Sequence, residues 1–167
     1  GLGLMAFSER AYEVYQKNTN AHYYWDLGKS LKFQEKGETP FTPPVTIYFG
    51  LQEALKMMQE EGLENVVARH ARYRKLIRSA TEALGLENVA PQACASPVVT
   101  AVRVPQGHTP AEIRTRMRED FNMVVSGGQG KLADSTFRIG HLGYVRDMDL
   151  VACIAALEMT LKRLEIP

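Results

Sequence analysis

Residues 136–143 have the sequence Thr136-Phe137-Arg138-Ile139-Gly140-His141-Leu142-Gly143, which is typical of a β-strand that ends in glycine-rich turns. Side chains alternate along a strand, so Phe137 and Ile139 share one face and Arg138 lies on the other, beside glycines that leave room. A planar guanidinium can form two parallel hydrogen bonds to a carboxylate. From the pattern alone, Arg138 either pairs with a neighbouring acidic side chain or binds the carboxylate of a ligand.

The second half of the chain predicts a small sheet with helices. Val98 to Val104 is β-branched between two prolines and predicts a strand, and Met123 to Val125 predicts a short one. Between them, Thr109-Pro110-Ala111-Glu112 is a capping box that begins a helix. After the glycine-rich turn at 127–130 and the Arg138 strand, Asp147 is expected to cap a last helix. This order predicts an α/β (α+β) fold with helices on one face of a mostly antiparallel sheet.

The first half predicts helices. Residues 1–8 form an apolar, strand-like run, which suggests a chain whose upstream portion is missing, and Ser8 caps a short helix from Glu9 to Lys17. Residues 32–38 read as a polar connection. Two long helices follow and end at Gly62 and Gly85; the second has an apolar stripe and a solvated basic face of Arg69, Arg72, Lys75 and Arg78.

Composition limits the possible functions. The chain has 167 residues, 45% hydrophobic content and a net charge of +1, which gives no reason to expect a nucleic-acid or membrane partner. Cys94 and Cys153 lie far apart, outside any CxxC or Cys/His cluster, and so predict free thiols, a cytoplasmic protein and no metal site. The run Gly127-Gly128-Gln129-Gly130-Lys131 lacks the spacing of a phosphate-binding P-loop.

The run Thr39-Pro40-Phe41-Thr42-Pro43-Pro44 predicts a stiff turn immediately before a helix. The hydroxyls of Thr39 and Thr42 either cap the helix entry or donate hydrogen bonds to a phosphate, which helix N-termini also favour. The aromatic run Tyr23-Tyr24-Trp25 predicts core or interface packing. His141, close to Arg138, is expected either near a site or in a structural role.

Four ordered motifs resemble one protein family: Gly1 to Ser8, Tyr23 to Leu27, Thr39 to Val45 and Phe137 to Gly143. The chain resembles the C-terminal portion of class V pyridoxal-phosphate aminotransferases of the alanine–glyoxylate and serine–pyruvate type. This branch includes proteins labelled small subunits of a cyanobacterial soluble hydrogenase. The resemblance implies the C-terminal small domain of a fold type I enzyme at residues 43–167, after a remnant of the large domain and linker at residues 1–42.

The resemblance also implies a site and a reaction. Arg138 matches the arginine that binds the substrate carboxylate, and Thr42, with Thr39, matches the turn that reaches the cofactor phosphate of the neighbouring subunit in a homodimer. The cofactor is pyridoxal 5'-phosphate, and the substrates are a small amino acid, serine or alanine, with glyoxylate or pyruvate. The lysine that forms the Schiff base is expected before Gly1, so this chain alone is expected to be inactive.

Two alternatives stay open at this point. The chain could be a non-catalytic module for dimerisation or partner binding, because its aromatic cluster and its opening run offer apolar surface. It could also be an accessory subunit of the kind labelled soluble hydrogenase small subunit. Two distant cysteines do not supply the several thiolates that hydrogen activation requires.

Overall fold

The structure, a computed structural model, describes residues 2–166 of the chain. Its contacts divide the chain into two compact units, Gly1–Glu60 and Glu61–Pro167. The predicted domains, 1–42 and 43–167, refer to the large and small domains of a whole enzyme, and that assignment stays a prediction.

The first unit is helical. Its helices are α1 (Glu9–Lys17), α2 (Leu27–Gln34) and α3 (Val45–Glu61). The Ser8 hydroxyl accepts a hydrogen bond from the Ala11 N–H at 3.3 Å, so the predicted cap of α1 is confirmed. Asp26 caps α2 by accepting from the Lys29 N–H at 3.0 Å. None of the three helices contains a buried residue, so they do not form a core of their own.

Two predictions for the first unit are wrong. Residues 2–8 form no strand, because a strand needs a hydrogen-bonded partner and none of the described residues pairs with this run; Gly1 lies outside the described residues. Most of the predicted polar connection at 32–38 is helical or turn, because the cap at Asp26 starts α2 upstream of it.

The second unit contains a sheet and three helices. The helices are α4 (Leu63–Ala83), α5 (Pro110–Phe121) and α6 (Asp147–Arg163). The strands are β1 (Val99–Arg103), β2 (Ser126–Gly127) and β3 (Thr136–Gly140). All pairings are antiparallel, and the strand order is β1-β3-β2, so the Arg138 strand is central and β2 is an edge. The predicted α+β class, a small antiparallel sheet with helices, is confirmed.

The core lies on the helical side of the sheet. Phe137 and Val102 are fully buried and pack with Ile113 of α5 and Leu157 of α6. These residues occupy the positions that strand and helix periodicity predicted. The alternation of β3 therefore directs Phe137 and Ile139 into the core and leaves Arg138 on the opposite face.

The strand predicted at Met123–Val125 is displaced by two to three residues and shortened to Ser126–Gly127. Asn122 ends α5 in the left-handed conformation with φ of 52°, and the Met123 N–H donates to Met117 O. Residues 122 and 123 therefore still belong to the end of the helix. Pairing with β3 then begins only at Ser126.

The basic face of α4 is not simply solvated. Arg69 pairs with Glu61 at 2.6 Å, Arg72 pairs with Asp147 at 2.9 Å, and Arg78 is buried with its Nε donating to Gln92 at 2.8 Å. The expectation for the last helix also needs a correction. Asp147 is the first helical residue, and the cap position is Arg146, whose N–H donates to the Asp149 carboxylate at 2.9 Å.

Candidate functional site

Arg138 lies at the centre of the sheet face that points away from the three helices. In the strand register it is opposite Ala101 of β1 on one side and Ser126 of β2 on the other. Directly opposed residues of an antiparallel pair share a face, with Cβ atoms about 4.5–5.5 Å apart. The guanidinium therefore has only small side chains beside it, which leave space for a ligand.

One hydrogen bond fixes the direction of the Arg138 side chain. Its Nε donates to the Gly127 carbonyl oxygen at 2.7 Å. The Gly128 N–H donates to Thr136 O at 2.9 Å, so these two residues form a hydrogen-bonded pair. Gly127 is the next residue along the strand and therefore belongs to a non-hydrogen-bonded pair with Phe137. The carbonyl of Gly127 thus points away from β3. The arginine therefore crosses the edge strand β2 to reach that carbonyl.

The rest of the guanidinium is uncommitted. Among residues 2–166, no Asp or Glu carboxylate lies within 4.0 Å of Arg138, and its only hydrogen bond is the one from Nε. Four of the five N–H donors of the arginine remain on its two Nη atoms. A half-buried guanidinium with a fixed Nε and a free fork is suited to bidentate binding of a carboxylate.

The turn that carries the Gly127 carbonyl is held by close backbone packing. The Thr136 hydroxyl donates to Leu132 O at 2.9 Å, and both oxygens lie against Gly128. A Cβ at Gly128 would collide with the Leu132 carbonyl and the Thr136 hydroxyl. Gly128 thus allows the approach that positions the partner of Arg138.

His141 has a structural role. Its ring is fully buried, and Nε2 lies 3.0 Å from the Thr100 hydroxyl, on the core side of the sheet. Burial lowers the pKa of His141, and the positive charges of His70 and Arg74 lower it further. The imidazole is therefore held neutral and away from the Arg138 face.

The turn with the two threonines lies in the first unit. The Thr39 hydroxyl donates to the Phe41 carbonyl at 2.6 Å, so its proton is used within the turn. Thr42 is exposed, and its hydroxyl has no hydrogen-bond partner among the described residues. The turn lines an open hollow of about 770 Å³, to which Glu38 and Tyr48 also contribute. Of the two threonines, Thr42 is the one free to donate to a phosphate.

The aromatic run of the first unit is exposed and gathers around the same turn. The Tyr24 and Phe41 rings stack with centroids 4.6 Å apart, and the Lys29 ammonium lies 4.5 Å from the Phe41 ring centroid. Trp25 is 84% exposed. These rings therefore do not contribute to a core within the first unit.

The cysteines are free thiols, as predicted. Cys94 is exposed, and burial raises the pKa of the Cys153 thiol to about 11. Within residues 2–166, no three His, Cys, Asp or Glu side chains are grouped so that they could hold a metal ion. In the same part of the chain, no helix is long and apolar enough to cross a membrane.

Sequence reasoning did not identify Gly127 and Ser126 as neighbours of Arg138. A two-residue strand carries too few residues for an alternating pattern, so the register became visible only in the structure. The one usable signal was the pair of glycines, because adjacent glycines often mark a close backbone approach.

With this fold and this arginine-bearing strand, the chain is a homologue of the C-terminal part of class V aminotransferases. The chain is 46% identical over 164 residues to the protein of Synechococcus sp. named soluble hydrogenase, small subunit, covering 98% of this chain and 42% of that protein. It is 40% identical over 169 residues to the serine–glyoxylate aminotransferase of Arabidopsis thaliana, covering 100% and 42%. No protein-family profile matches the chain.

A solved structure shows the same architecture. The alanine–glyoxylate aminotransferase of Nostoc sp. superimposes with a TM-score of 0.85 at 29% identity, over 92% of this chain and 42% of that one. The predicted resemblance is confirmed. The chain spans about two fifths of the length of the curated relatives that it matches.

Proposed function

We propose that the intact protein transfers an amino group between a small amino acid, serine or alanine, and glyoxylate or pyruvate. Relatives named serine–glyoxylate aminotransferase match along nearly the whole chain, at 32–40% identity. In this proposal the chain supplies the residues that bind and orient substrate. The lysine that anchors the cofactor belongs to another part of the protein, so the chain is not expected to transaminate alone.

One observation carries the proposal: the Arg138 guanidinium has a fixed Nε, two free Nη atoms and no carboxylate partner among the described residues. A cation of this kind binds the α-carboxylate that every amino acid and 2-oxo acid presents. The bond to Gly127 O holds the fork in one direction, so the substrate would be oriented as well as bound. The small neighbours Ala101 and Ser126 leave room for it.

Pyridoxal 5'-phosphate, when bound, supplies the electron sink that amino-group transfer requires. Thr42 fits a contact to its phosphate, because its hydroxyl is exposed and has no hydrogen-bond partner within residues 2–166, and because the turn leads into the N-terminus of α3. Thr39 fits less well, since its proton is donated to Phe41 O. Following the resemblance, we place this contact across a homodimer, with the turn facing the cofactor of the second subunit. The free thiols also favour the cytoplasm.

The test compares Arg138→Lys and Arg138→Ala in the intact protein. Lysine keeps the charge but loses both the fork and the bond to Gly127 O. A hydrogen bond to a charged group contributes about 1.5–3 kcal/mol, so kcat/KM for the amino acid should fall about 10- to 150-fold in both variants. The matched control is Arg118→Lys, an exposed arginine of α5 whose one ion pair among the described residues is with Glu119 at 3.7 Å. Unchanged kcat/KM in Arg138→Lys would refute the role of the fork.

A second candidate function rests on the exposed apolar surface of the first unit, where Tyr23, Trp25 and Phe49 are each more than 60% exposed. Surface of this kind fits a dimerisation or partner-binding module. Size-exclusion chromatography with light scattering tests it. A monomer at all concentrations from micromolar to millimolar would exclude self-association.

A further inference from the structure

We infer that Ser126 is a second substrate-binding residue, whose hydroxyl donates a hydrogen bond to the carboxylate held by Arg138; this rests on the function proposed above. Ser126 and Arg138 are directly opposed in the antiparallel pair β2–β3, so their side chains leave the same face of the sheet. The serine is exposed, and its hydroxyl has no partner among the described residues.

The direction of the arginine strengthens this inference. Because Arg138 Nε bonds to the outward carbonyl of Gly127, the guanidinium lies across β2 and not across β1. Ser126 precedes Gly127 in that strand, so the hydroxyl lies beside the fork. Any carboxylate bound by the two Nη atoms is thereby brought next to the serine.

The other neighbours on this face cannot supply a donor. Ala101 and Gly140 carry no polar side-chain atoms. The Thr136 hydroxyl is buried and donates to Leu132 O, and Arg103 is paired with Glu87 at 3.2 Å. Among residues 2–166, Ser126 is therefore the one residue, opposite Arg138 or in the flanking register positions, whose hydroxyl has no hydrogen-bond partner.

The chemistry of the pair is complementary. Two N–H groups of a guanidinium occupy one side of a carboxylate, and each carboxylate oxygen retains a further lone pair. A hydroxyl on the adjacent strand can donate to that lone pair without displacing the arginine. The expected ligand class is thus a small molecule with a carboxylate next to its reacting carbon, and the serine contributes affinity for that carboxylate.

The experiment measures binding by isothermal titration calorimetry on the intact protein, with L-alanine and with L-alaninamide, which lacks the carboxylate. Ser126→Ala should weaken binding of L-alanine about tenfold or more, because a hydrogen bond to a charged group is lost, and leave L-alaninamide unchanged. Ser126→Thr keeps the hydroxyl and should restore the preference for L-alanine. The matched control is Ser79→Ala, an exposed serine on α4, at the other side of the sheet.

The outcomes separate the two proposals. The quantity compared is the ratio of the affinities for L-alanine and L-alaninamide. If this ratio is the same in Ser126→Ala and in the unsubstituted protein, the role of Ser126 is overturned and the aminotransferase proposal stays intact. Failure of the unsubstituted protein to prefer L-alanine overturns both. An unchanged midpoint of urea unfolding in Ser126→Ala shows that weaker binding does not result from misfolding. If Ser126→Thr fails to restore the affinity that Ser126→Ala loses, the inference is also overturned.

Discussion

Replacing Gly128 with alanine is expected to lower the unfolding free energy of the second unit by about 2–4 kcal/mol. The added Cβ would meet the Leu132 carbonyl and the Thr136 hydroxyl at a separation that real Cβ atoms do not adopt. Adding volume to a packed site costs about 1–3 kcal/mol. Separating Thr136 from Leu132 removes a further hydrogen bond, which contributes about 1 kcal/mol.

The assay is urea unfolding followed by circular dichroism. With a slope of about 2 kcal/mol per molar urea, the midpoint should fall by about 1–2 M. The matched control is Gly140→Ala in the same sheet, where the added Cβ meets only the Cδ2 atom of Leu142 at 3.2 Å. Leu142 is exposed and can move, so the control should change stability by less than about 1 kcal/mol. A Gly128→Ala protein within about 0.5 kcal/mol of its parent would refute the reasoning.

Two further predictions concern stability. The folded state holds the pKa of His141 below its ordinary value of 6.5, so as pH falls below that value the unfolded chain takes up the proton first and stability decreases. Urea unfolding between pH 5 and 6.5 should show this slope, at most about 1.4 kcal/mol per pH unit, and the slope should be smaller in His141→Gln; an identical slope in the variant would contradict the assignment. Thr109→Ala removes the hydroxyl that accepts from the Glu112 N–H at 3.3 Å and donates to the Glu112 carboxylate at 3.0 Å, and should lower the unfolding free energy by about 1 kcal/mol. Thr115→Ala, in the same helix, is the control for Thr109→Ala, and equal stability of these two variants would argue against the cap.

Features that depend on neighbouring residues along the chain were predictable. The capping box at Thr109 and Glu112 and the cap at Ser8 were identified because each motif satisfies its own helix terminus. The same signal is present at Asp26, which accepts a hydrogen bond from the N–H three residues later, although the polar composition of residues 32–38 predicts a connection there. At this helix the local cap outweighs the polar composition.

Features that depend on distant pairing were not predictable from pattern. Arg78 belongs to the basic face of α4 by spacing, yet it is buried because Gln92 lies within reach of its Nε. The sequence pattern predicts β2 too early in the chain, because Ser126 and Gly127 form a strand through their pairing with β3 and not through a pattern of their own. The motif around Arg138 identified the arginine, but neither the Gly127 carbonyl nor the Ser126 hydroxyl beside it.

The sequence by itself determined every helix except α2, the alternation of β3 and the face on which Arg138 lies, because hydrophobic period and end caps act between residues that are close along the chain. Only the tertiary structure decided what surrounds the arginine. Gly127 and Ser126 are more than ten positions away from it, and the antiparallel register that joins them is set by hydrogen bonds between strands. A guanidinium acquires a direction from those distant contacts, and that direction makes the arginine a candidate binding site.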